Sequence, residues 1–249
     1  MINVALTPAS IQPAPVAVVI DVLRASSTIT EALAAGYRRI RCCRTIEQAE
    51  ALREPGRVIA GERACIKPPG FELGNSPAAF RRLRGQEVVL TTTNGCPAMF
   101  AAAAVCDRVL VGSLLNLEAI LAELDGAGDV VLVCAGTDGA PAIEDTYLAG
   151  RISATLGGAR SDSARIAEAV AAAHPRPSTA LRAGRGAAAL LAAGLAADID
   201  WCAQESVLDV VPQLSALDGD VALVDESAPT SRSRREPDLA LLSPGTVAG

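Results

Sequence analysis

The sequence predicts an α/β fold with three layers, in which helices cover both faces of a mostly parallel or mixed central sheet. Short apolar runs of strand length alternate along the chain with segments of helix length, which is the order that βαβ units produce. The apolar runs are nearly continuous, as expected for strands covered on both faces. Half of the residues are hydrophobic and few are aromatic, so we expect alanine-rich helices to pack closely on the sheet.

Each apolar run predicts a strand, and the segments between the runs contain signals for helices. Seven strands are predicted, at residues 16–20, 38–43, 57–60, 87–90, 108–112, 130–135 and 221–224. Eight helices are predicted, at residues 27–35, 45–54, 76–84, 97–104, 116–125, 144–156, 162–173 and 198–208. Thr45 and Gln48 have capping-box spacing, and Ser76-Pro77 matches an N-cap followed by proline in the first turn. An exposed loop is predicted at residues 174–186, because this segment contains prolines, a serine and arginines.

Length and composition limit the class of protein. The 249 residues suit one α/β unit over residues 1–225, built as one body or two lobes, followed by a polar, mobile tail at 226–249. The net charge of −6 argues against nonspecific binding of nucleic acid. Neither a signal peptide nor a membrane-spanning run is recognisable, so no membrane partner is expected. An acidic, alanine-rich α/β protein is also compatible with a homodimer.

The seven cysteines indicate the cellular compartment. Their number is odd, none has CxxC spacing, and several lie in apolar runs. This usage is typical of reduced, buried cysteines, so the protein is expected to be cytoplasmic.

Polar segments follow four of the predicted strands, at residues 21–28, 61–77, 91–97 and 136–145. Ligands of open α/β sheets bind at the carboxyl ends of strands. We therefore expect the active site at that edge, with these four segments around it.

The segment "DVLRASST" places an acid at a strand end and hydroxyl groups at a helix start. Arg24, Ser26 and Ser27 are donors that suit an anion at this position. The alternative is structural: Ser27 or Thr28 caps the helix while Asp21 pairs with Arg24. The sequence leaves both interpretations open.

The segment 61–77 contains several candidate binding residues among glycines and prolines that fix a loop, namely Glu62, Arg63, Lys67 and Asn75. A solvated surface loop with a mixed set of charges is the alternative.

The stretch "TTTNGC" supplies uncharged donors from Thr91, Thr92, Thr93 and Asn94. Gly95 permits close approach of the backbone to an oxyanion. A helix beginning near Pro97 adds a positive dipole end. An Asn-Gly turn with β-favouring threonines is the alternative.

The segment 136–145 ends in two adjacent acids, Glu144 and Asp145. Two acids at a helix start often only complement the helix dipole. Together with Asp21, however, they would form an oxygen-rich site of the kind that Mg²⁺ prefers.

Taken together, the segments "DVLRASSTI", "GER...K...GFELGNSP", "TTTNG" and "AGTDG...EDTYLAG" resemble the 2-phosphosulfolactate phosphatase family, as does "DIDWCAQESVLDVVP" at 198–212. The resemblance spans roughly residues 15 to 212. It implies an α/β, Mg²⁺-dependent phosphatase that acts on phosphate esters of 2-hydroxy acids, with 2-phosphosulfolactate of coenzyme M biosynthesis as substrate. One departure is Cys96, where threonine is expected after "TTTNG".

This resemblance and the polar segments lead to a hypothetical set of roles for the binding of a small phosphorylated anion. Asp21, Glu144 and Asp145 would be metal ligands, directly or through water, and Glu62 a proton carrier. The phosphoryl group would be held by Arg24, Ser26, Ser27, Thr92, Thr93, Asn94 and Gly95. The acid groups of the substrate would be bound by Arg63, Lys67 and Asn75.

Other mechanisms stay open at this point. Asp21 would form an aspartyl phosphate in one of them, although Leu23 stands where a DxD motif has its second acid. Cys134 is a nucleophile candidate for a thiol hydrolase, but the only histidine, His174, lies outside every motif and no base is evident. A non-catalytic, anion-binding regulatory protein is the third alternative.

Overall fold

The apolar runs form one mixed sheet in the computed structural model of the chain, which describes residues 1–81 and 86–227. In chain order the strands are β1 (Ile2–Ala5), β2 (Ala14–Ile20), β3 (Arg39–Cys43), β4 (Arg57–Gly61), β5 (Glu87–Thr91), β6 (Cys106–Gly112), β7 (Val130–Cys134), β8 (Pro212–Asp218) and β9 (Val221–Glu226). Their order across the sheet is β1-β7-β2-β6-β8-β9-β3-β5-β4. The antiparallel hairpin β8-β9 joins two groups of parallel strands, β1-β7-β2-β6 and β3-β5-β4.

Helices cover both faces of this sheet. They are α1 (Ala25–Ala34), α2 (Ile46–Ala51), α3 (Pro77–Phe80), α4 (Gly95–Ala103), α5 (Leu117–Leu124), α6 (Ile143–Thr155), α7 (Asp162–Ala173), α8 (Pro177–Ala183), α9 (Arg185–Ala192) and α10 (Ala196–Cys202). Helices α5 to α10 share a core with β1, β2, β6 and β7, whereas α1 and α4 share a second core on the opposite face. The predicted three-layer α/β fold is therefore confirmed.

Side chains of a single strand serve both cores. In β2, Val18 and Ile20 belong to the first core, and Ala17 and Val19 belong to the second. This alternation is the period of two that a strand imposes on its side chains. A strand that is buried on both faces has to be apolar throughout, which is why its sequence shows no polar alternation.

Small residues let the helices pack closely. A Cβ atom at Gly150 of α6 would lie 2.0 Å from the carbonyl oxygen of Ala167 in α7, so only glycine permits this approach. The expectation of closely packed, small-residue helices holds at this contact.

Two strands, β1 and β8, lie outside the predicted set. Strand β1 has only four residues, and β8 begins at Pro212 and is largely exposed, so neither has the buried apolar run on which the prediction depended. The predicted helix at 198–208 is shorter, since α10 ends at Cys202. Of the predicted tail at 226–249, residues 228–249 lie outside the described residues.

The exposed loop predicted at 174–186 is wrong. Helix α8 occupies Pro177–Ala183, its residues Ala180 and Leu181 are buried, and α9 begins at Arg185. Pro177 stands in the first helical turn, where its missing N–H group removes no helical hydrogen bond. Proline in this segment therefore marks a helix start and not a loop.

Candidate active site

The four polar segments meet around one cleft of about 380 Å³. Each segment contributes lining residues, and α9 closes one side; the lining includes Asp21, Arg24, Glu62, Arg63, Cys65, Asn75, Thr93, Asn94, Thr137, Asp138 and Gly186. The expected convergence at the carboxyl ends of the strands is therefore found. The segments meet although two of the strands that they follow, β2 and β5, are not neighbours in the sheet.

Gly95 allows the segments after β2 and β5 to meet. A Cβ atom at this position would lie 2.4 Å from the Cβ of Ala25 and 2.6 Å from Oδ2 of Asp21. The beginning of α4 thus packs directly against the turn between β2 and α1. Glycine is required here for contact between two parts of the protein, whereas the sequence suggested contact with a bound oxyanion.

Asp21 is the buried acid at the end of β2. Its Oδ1 accepts a hydrogen bond of 3.3 Å from the amide of Ala25, and it forms no ion pair within the described residues. Burial, together with the charges of Glu62 and Glu144, raises the pKa of Asp21 to about 7. A carboxylate in this setting is stabilised by a cation.

Glu144 and Asp145 lie at the start of α6 but have different surroundings. Asp145 accepts hydrogen bonds from the amides of Val22 at 2.9 Å and Gly136 at 3.0 Å, so it holds two segments together. Oε2 of Glu144 is buried and has no hydrogen-bond partner in the described part of the chain. Burial raises the pKa of both acids, and the charge of Asp21 adds to the effect on Asp145.

The carboxyl group of Glu144 faces the start of α9, where two glycines make room for it. A Cβ atom at Gly184 or at Gly186 would lie 2.2 Å from one of its oxygens. Neither glycine is among the predicted site residues, since they fall at the edge of the segment predicted as a loop. The buried oxygen of Glu144, which has no partner among the described residues, is an acceptor that suits a cation or a donor group of a ligand.

Arg24 does not pair with Asp21, so that structural alternative is wrong. Its Nη1 donates to Oδ2 of Asp198 at 2.6 Å, and both side chains are buried. The other oxygen, Oδ1, accepts from Ser76 Oγ at 2.6 Å. Ser76 holds the N-cap position of α3, but its hydroxyl makes no cap hydrogen bond. Asp198 is absent from the predicted site, although it begins the segment "DIDWCAQES" that contributed to the family resemblance.

Glu62 and Arg63 are both held by the protein. Glu62 accepts from the amides of Thr93 at 2.8 Å and Cys65 at 3.0 Å, which ties the loop after β4 to the loop after β5. Arg63 donates to its neighbour's carbonyl oxygen at 2.6 Å and to Thr91 Oγ1 at 2.9 Å. Both residues line the cleft. Their hydrogen bonds hold the two side chains in place, which favours a structural role over that of a proton carrier or an anion ligand.

Several predicted phosphate ligands face away from the cleft. Ser26 and Ser27 are buried and donate to the carbonyl oxygens of Asp21 and Val22, at 2.8 Å and 2.9 Å. They stabilise the turn before α1. Ser27 does not cap the helix as the structural alternative proposed, because the N-cap residue is Arg24 and it has no side-chain cap hydrogen bond. Oγ1 of the buried Thr92 accepts from the amide at position 96. Thr93 and Asn94, in contrast, line the cleft as predicted.

Cys96, the departure from the expected motif, points into the core. Its side chain is buried, and its Sγ lies 3.5 Å from the carbonyl oxygen of Leu90. The exchange of a hydroxyl for a thiol at this position therefore removes no donor from the cleft.

The predicted metal ligands are Asp21, Glu144 and Asp145. Across residues 1–81 and 86–227, no three or more His, Cys, Asp or Glu side chains are placed to hold one metal ion. Asp145 already uses both oxygens on backbone amides. Of the other two acids, Asp21 lines the cleft and senses the charge of Glu144, whereas Glu144 is not among the residues that line it. Mg²⁺ can also be held by one or two carboxylates together with water and substrate oxygens.

The thiol alternative finds no support at Cys134. Its side chain is completely buried in the first core, and burial raises the pKa of this thiol well above its usual range. His174 packs edge-on against Tyr147 and does not line the cleft. All seven cysteines are free thiols, as predicted.

Comparison with known proteins identifies relatives along most of the chain. A family model described as 2-phosphosulpholactate phosphatase matches residues 2–216. A probable 2-phosphosulfolactate phosphatase of Deinococcus radiodurans is 39% identical over 223 residues, covering 86% of this chain and 92% of the relative. A protein of Thermotoga petrophila with the same description is 37% identical, with coverages of 86% and 95%. The 2-phosphosulfolactate phosphatase of Methanothermobacter thermautotrophicus is 34% identical, with coverages of 84% and 90%.

No helix in the described ranges has both the length and the apolarity needed to cross a bilayer.

Proposed function

Because the chain belongs to the 2-phosphosulpholactate phosphatase family, we propose that it hydrolyses the phosphate monoester of a 2-hydroxy acid. The preferred substrate is 2-phosphosulfolactate, which gives sulfolactate and phosphate, the type of reaction used in coenzyme M biosynthesis. The observation that carries this proposal is the buried Asp21, which lines a cleft at the carboxyl ends of the strands without an ion-pair partner among the described residues.

Mg²⁺ is the proposed cofactor, and Asp21 and Glu144 are the residues that would hold it. The raised pKa of both acids supports this role, because burial disfavours the charge of each carboxylate and the charge of Glu144 adds to the effect on Asp21, so that a nearby cation would stabilise them. When bound, Mg²⁺ supplies charge stabilisation for the phosphoryl oxygens and a means of orienting water. Asp145 positions the ligand pair by fixing Val22 and Gly136.

The remaining cleft residues bind and orient the substrate. The guanidinium of Arg24 is fixed by Asp198 and lines the cleft, which suits it to a phosphoryl oxygen. Thr93 and Asn94 offer uncharged donors on the opposite loop. Asp21 is also the candidate for an aspartyl-phosphate intermediate, and direct attack of water is the simpler route because no second acid follows at position 23.

We further propose a cytoplasmic protein that assembles as a homodimer. The seven free thiols support a reducing compartment. Sedimentation in a reducing buffer would test the dimer.

The proposed activity is tested by phosphate release from 2-phosphosulfolactate and 2-phospholactate, with Mg²⁺ and with excess chelator. The expected result is release that stops with chelator and returns with Mg²⁺. Release that persists in chelator would refute the metal requirement. A protein that binds phosphate analogues but releases no phosphate from either ester would be a non-catalytic anion binder.

A further inference from the structure

Arg24 borders two spaces, so its orientation decides which of them its charge serves. It lines the cleft and also a groove of about 740 Å³ beside it, which Lys67 and Asn75 line as well. The contact that orients Arg24 is the buried ion pair with Asp198, a residue of α10. The elements that hold α10 in place therefore control the position of this guanidinium.

Helices α3 and α10 depend on their neighbours for their positions. They have only four and seven residues, and isolated helices of this length are not stable in water. Helix α1 has ten residues and shares the second core with the sheet. It is therefore the element against which the two short helices can be fixed.

A polar cluster of Glu31, Arg81 and Trp201, the outer cluster, joins these three helices. Arg81 donates to both oxygens of Glu31, at 2.5 Å and 2.9 Å, and Nε1 of Trp201 donates to Oε2 of Glu31 at 2.9 Å. The guanidinium of Arg81 also lies over the indole ring of Trp201, 3.6 Å from the ring centroid. The Glu31 side chain is 5% exposed, so these donors replace the water that its carboxylate lacks.

The outer cluster has the same composition in elements as the contacts at Arg24. If cap residues are counted with their helices, α1, α3 and α10 each contribute one side chain to both groups. The group at the cleft consists of Arg24, Ser76 and Asp198. The three helices are thus linked to one another at two places.

Helix α10 connects the two groups directly. Asp198 and Trp201 are three residues apart in it, a distance of about 4.5 Å along the helix axis, and residues at this spacing lie on neighbouring parts of one face. A displacement of α10 at Trp201 therefore moves Asp198, and with it the partner of Arg24.

The chemistry of the outer cluster suits positioning better than stability. Apolar residues of similar volume often stabilise a fold as well as a buried ion pair does, whereas directional hydrogen bonds specify one arrangement. Glu31 accepts from residues of α3 and α10 at once, so all three bonds form only when both helices are in register with α1. None of the three residues of the cluster lines the cleft, so any effect on the reaction passes through other residues.

We propose that Glu31, Arg81 and Trp201 are positioning residues for phosphoryl binding. They fix α10 against α1 and α3, and Asp198 in turn orients Arg24 toward the cleft. This inference rests on the proposed function, in which Arg24 contacts the phosphoryl group. It also gives a role to Trp201, which shares the segment 198–212 with Asp198.

The kinetic test uses Glu31→Gln, which removes the charge of the outer cluster and keeps its shape. We expect kcat/KM for phosphate release from 2-phosphosulfolactate to fall about tenfold, mainly through KM, because a weakened hydrogen bond between Arg24 and the phosphoryl group corresponds to a factor of that order. An unchanged kcat/KM would overturn the proposal.

Glu123→Gln is the matched control, because the pair of Arg108 and Glu123 has similar burial. The glutamates are 5% and 8% exposed at positions 31 and 123, and their arginine partners 41% and 30%. Arg108 lies near the amino end of β6, at the edge of the sheet opposite the cleft, so this control should keep kcat/KM within about twofold. Equal losses in the two variants would overturn the proposal, since general destabilisation would then explain both.

A double-mutant cycle separates positioning from a purely structural effect. In the background Arg24→Leu with Asp198→Leu, the route from the outer cluster to the substrate is absent, and an apolar pair can replace a buried ion pair without loss of the fold. Glu31→Gln should lower kcat/KM by less than about twofold in this background, because its effect passes through Arg24. The same tenfold loss in both backgrounds would overturn the proposal, since the outer cluster would then act independently of Arg24.

The fluorescence of Trp201 reports on the outer cluster without turnover, because it is the single tryptophan of the chain. Its emission maximum should shift in Glu31→Gln, where the indole N–H and the stacked guanidinium lose their charged partner. It should not shift in Glu123→Gln. A loss of activity in Glu31→Gln with unchanged emission would refute the route through α10.

Binding of inorganic phosphate, measured by calorimetry with Mg²⁺ present, tests the same link in the absence of an ester. We expect Glu31→Gln to raise the Kd about tenfold and Glu123→Gln to leave it unchanged. An unchanged Kd in Glu31→Gln would overturn the positioning role. If no ester is hydrolysed but Glu31→Gln still weakens phosphate binding, the proposed function fails while the positioning role holds.

Discussion

Replacement of Asp198 by asparagine tests how the buried ion pair supports the cleft. The side chains of Arg24 and Asp198 are 3% and 6% exposed, and their closest atoms are 2.6 Å apart. Removing one member of such a pair leaves a buried charge without compensation, which costs about 3–5 kcal/mol. Because asparagine keeps the shape and an oxygen for Ser76, we expect a loss near the lower end, about 3 kcal/mol. For a chain of this size that lowers Tm by roughly 6–12 °C.

The assay combines thermal unfolding with phosphate release. A matched control is Asp200→Asn, two residues further along α10, where the pair with Arg182 is exposed and its loss should cost about 1 kcal/mol or less. We expect kcat/KM to fall about tenfold or more in Asp198→Asn, since Arg24 loses its fixed orientation. Asp200→Asn should keep full activity. Equal Tm values for the two variants would refute the argument from burial.

A double variant separates stability from activity. Buried ion pairs can often be replaced by apolar residues without loss of stability. Arg24→Leu combined with Asp198→Leu should therefore have a Tm closer to the wild-type value than Asp198→Asn. It should nevertheless have a lower kcat/KM than Asp198→Asn, because the guanidinium is gone. Recovery of activity in this double variant would exclude Arg24 from substrate binding.

Three further predictions concern the walls, the protonation and the thiols of the site. Gly186→Ala should lower activity at least about tenfold, because its Cβ would collide with the Glu144 carboxyl group. The control Gly157→Ala should keep its activity, because its Cβ would meet no atom within 4 Å. Equal activities of the two variants would contradict this prediction. The pKa of Asp21 lies near 7 in the folded chain and near 4 when unfolded, so the folded state binds more protons between these values. Asp21 should thus contribute a loss of up to about 4 kcal/mol of stability to the metal-free protein between pH 4 and 7, and Asp21→Asn should remove that part of the dependence in denaturant titrations. Iodoacetamide should leave the buried Cys134 unmodified, so that any loss of activity follows modification of Cys65, which is half-buried and lines the cleft; inactivation that tracks modification of Cys134 would favour the thiol mechanism.

The layers of the fold follow from local pattern, and so does the location of the site. Continuous apolar runs mark strands covered on both faces, and polar segments after them mark the edge at which ligands bind. Seven of the nine strands found in the described residues lie where such runs predict them. The sequence pattern does not predict strand β8, because its residues are largely exposed and its extended conformation depends on pairing with β9.

The partners within the site depend on contacts distant in sequence. Arg24 meets Asp198 across 174 positions, and no local pattern distinguishes that partner from the nearer Asp21. Glu144 meets Gly184 only because α8 and α9 return to the start of α6. The hydroxyl of Ser26 illustrates the opposite case, since a residue type that suits phosphate binding also suits a turn, and only the structure decides between the two.

Phosphate release from 2-phosphosulfolactate by Asp21→Asn, at saturating Mg²⁺, tests the central role of this acid most directly. The variant should be as stable as the wild type or more so at pH 8, because it lacks the buried charge. Its kcat should nevertheless be lower by a factor of about a hundred to a thousand, since a metal ligand provides several kcal/mol of transition-state stabilisation. A folded Asp21→Asn protein that keeps kcat within about threefold of the wild type, a difference of less than 1 kcal/mol, would contradict the assignment of the cleft as a metal-assisted phosphatase site.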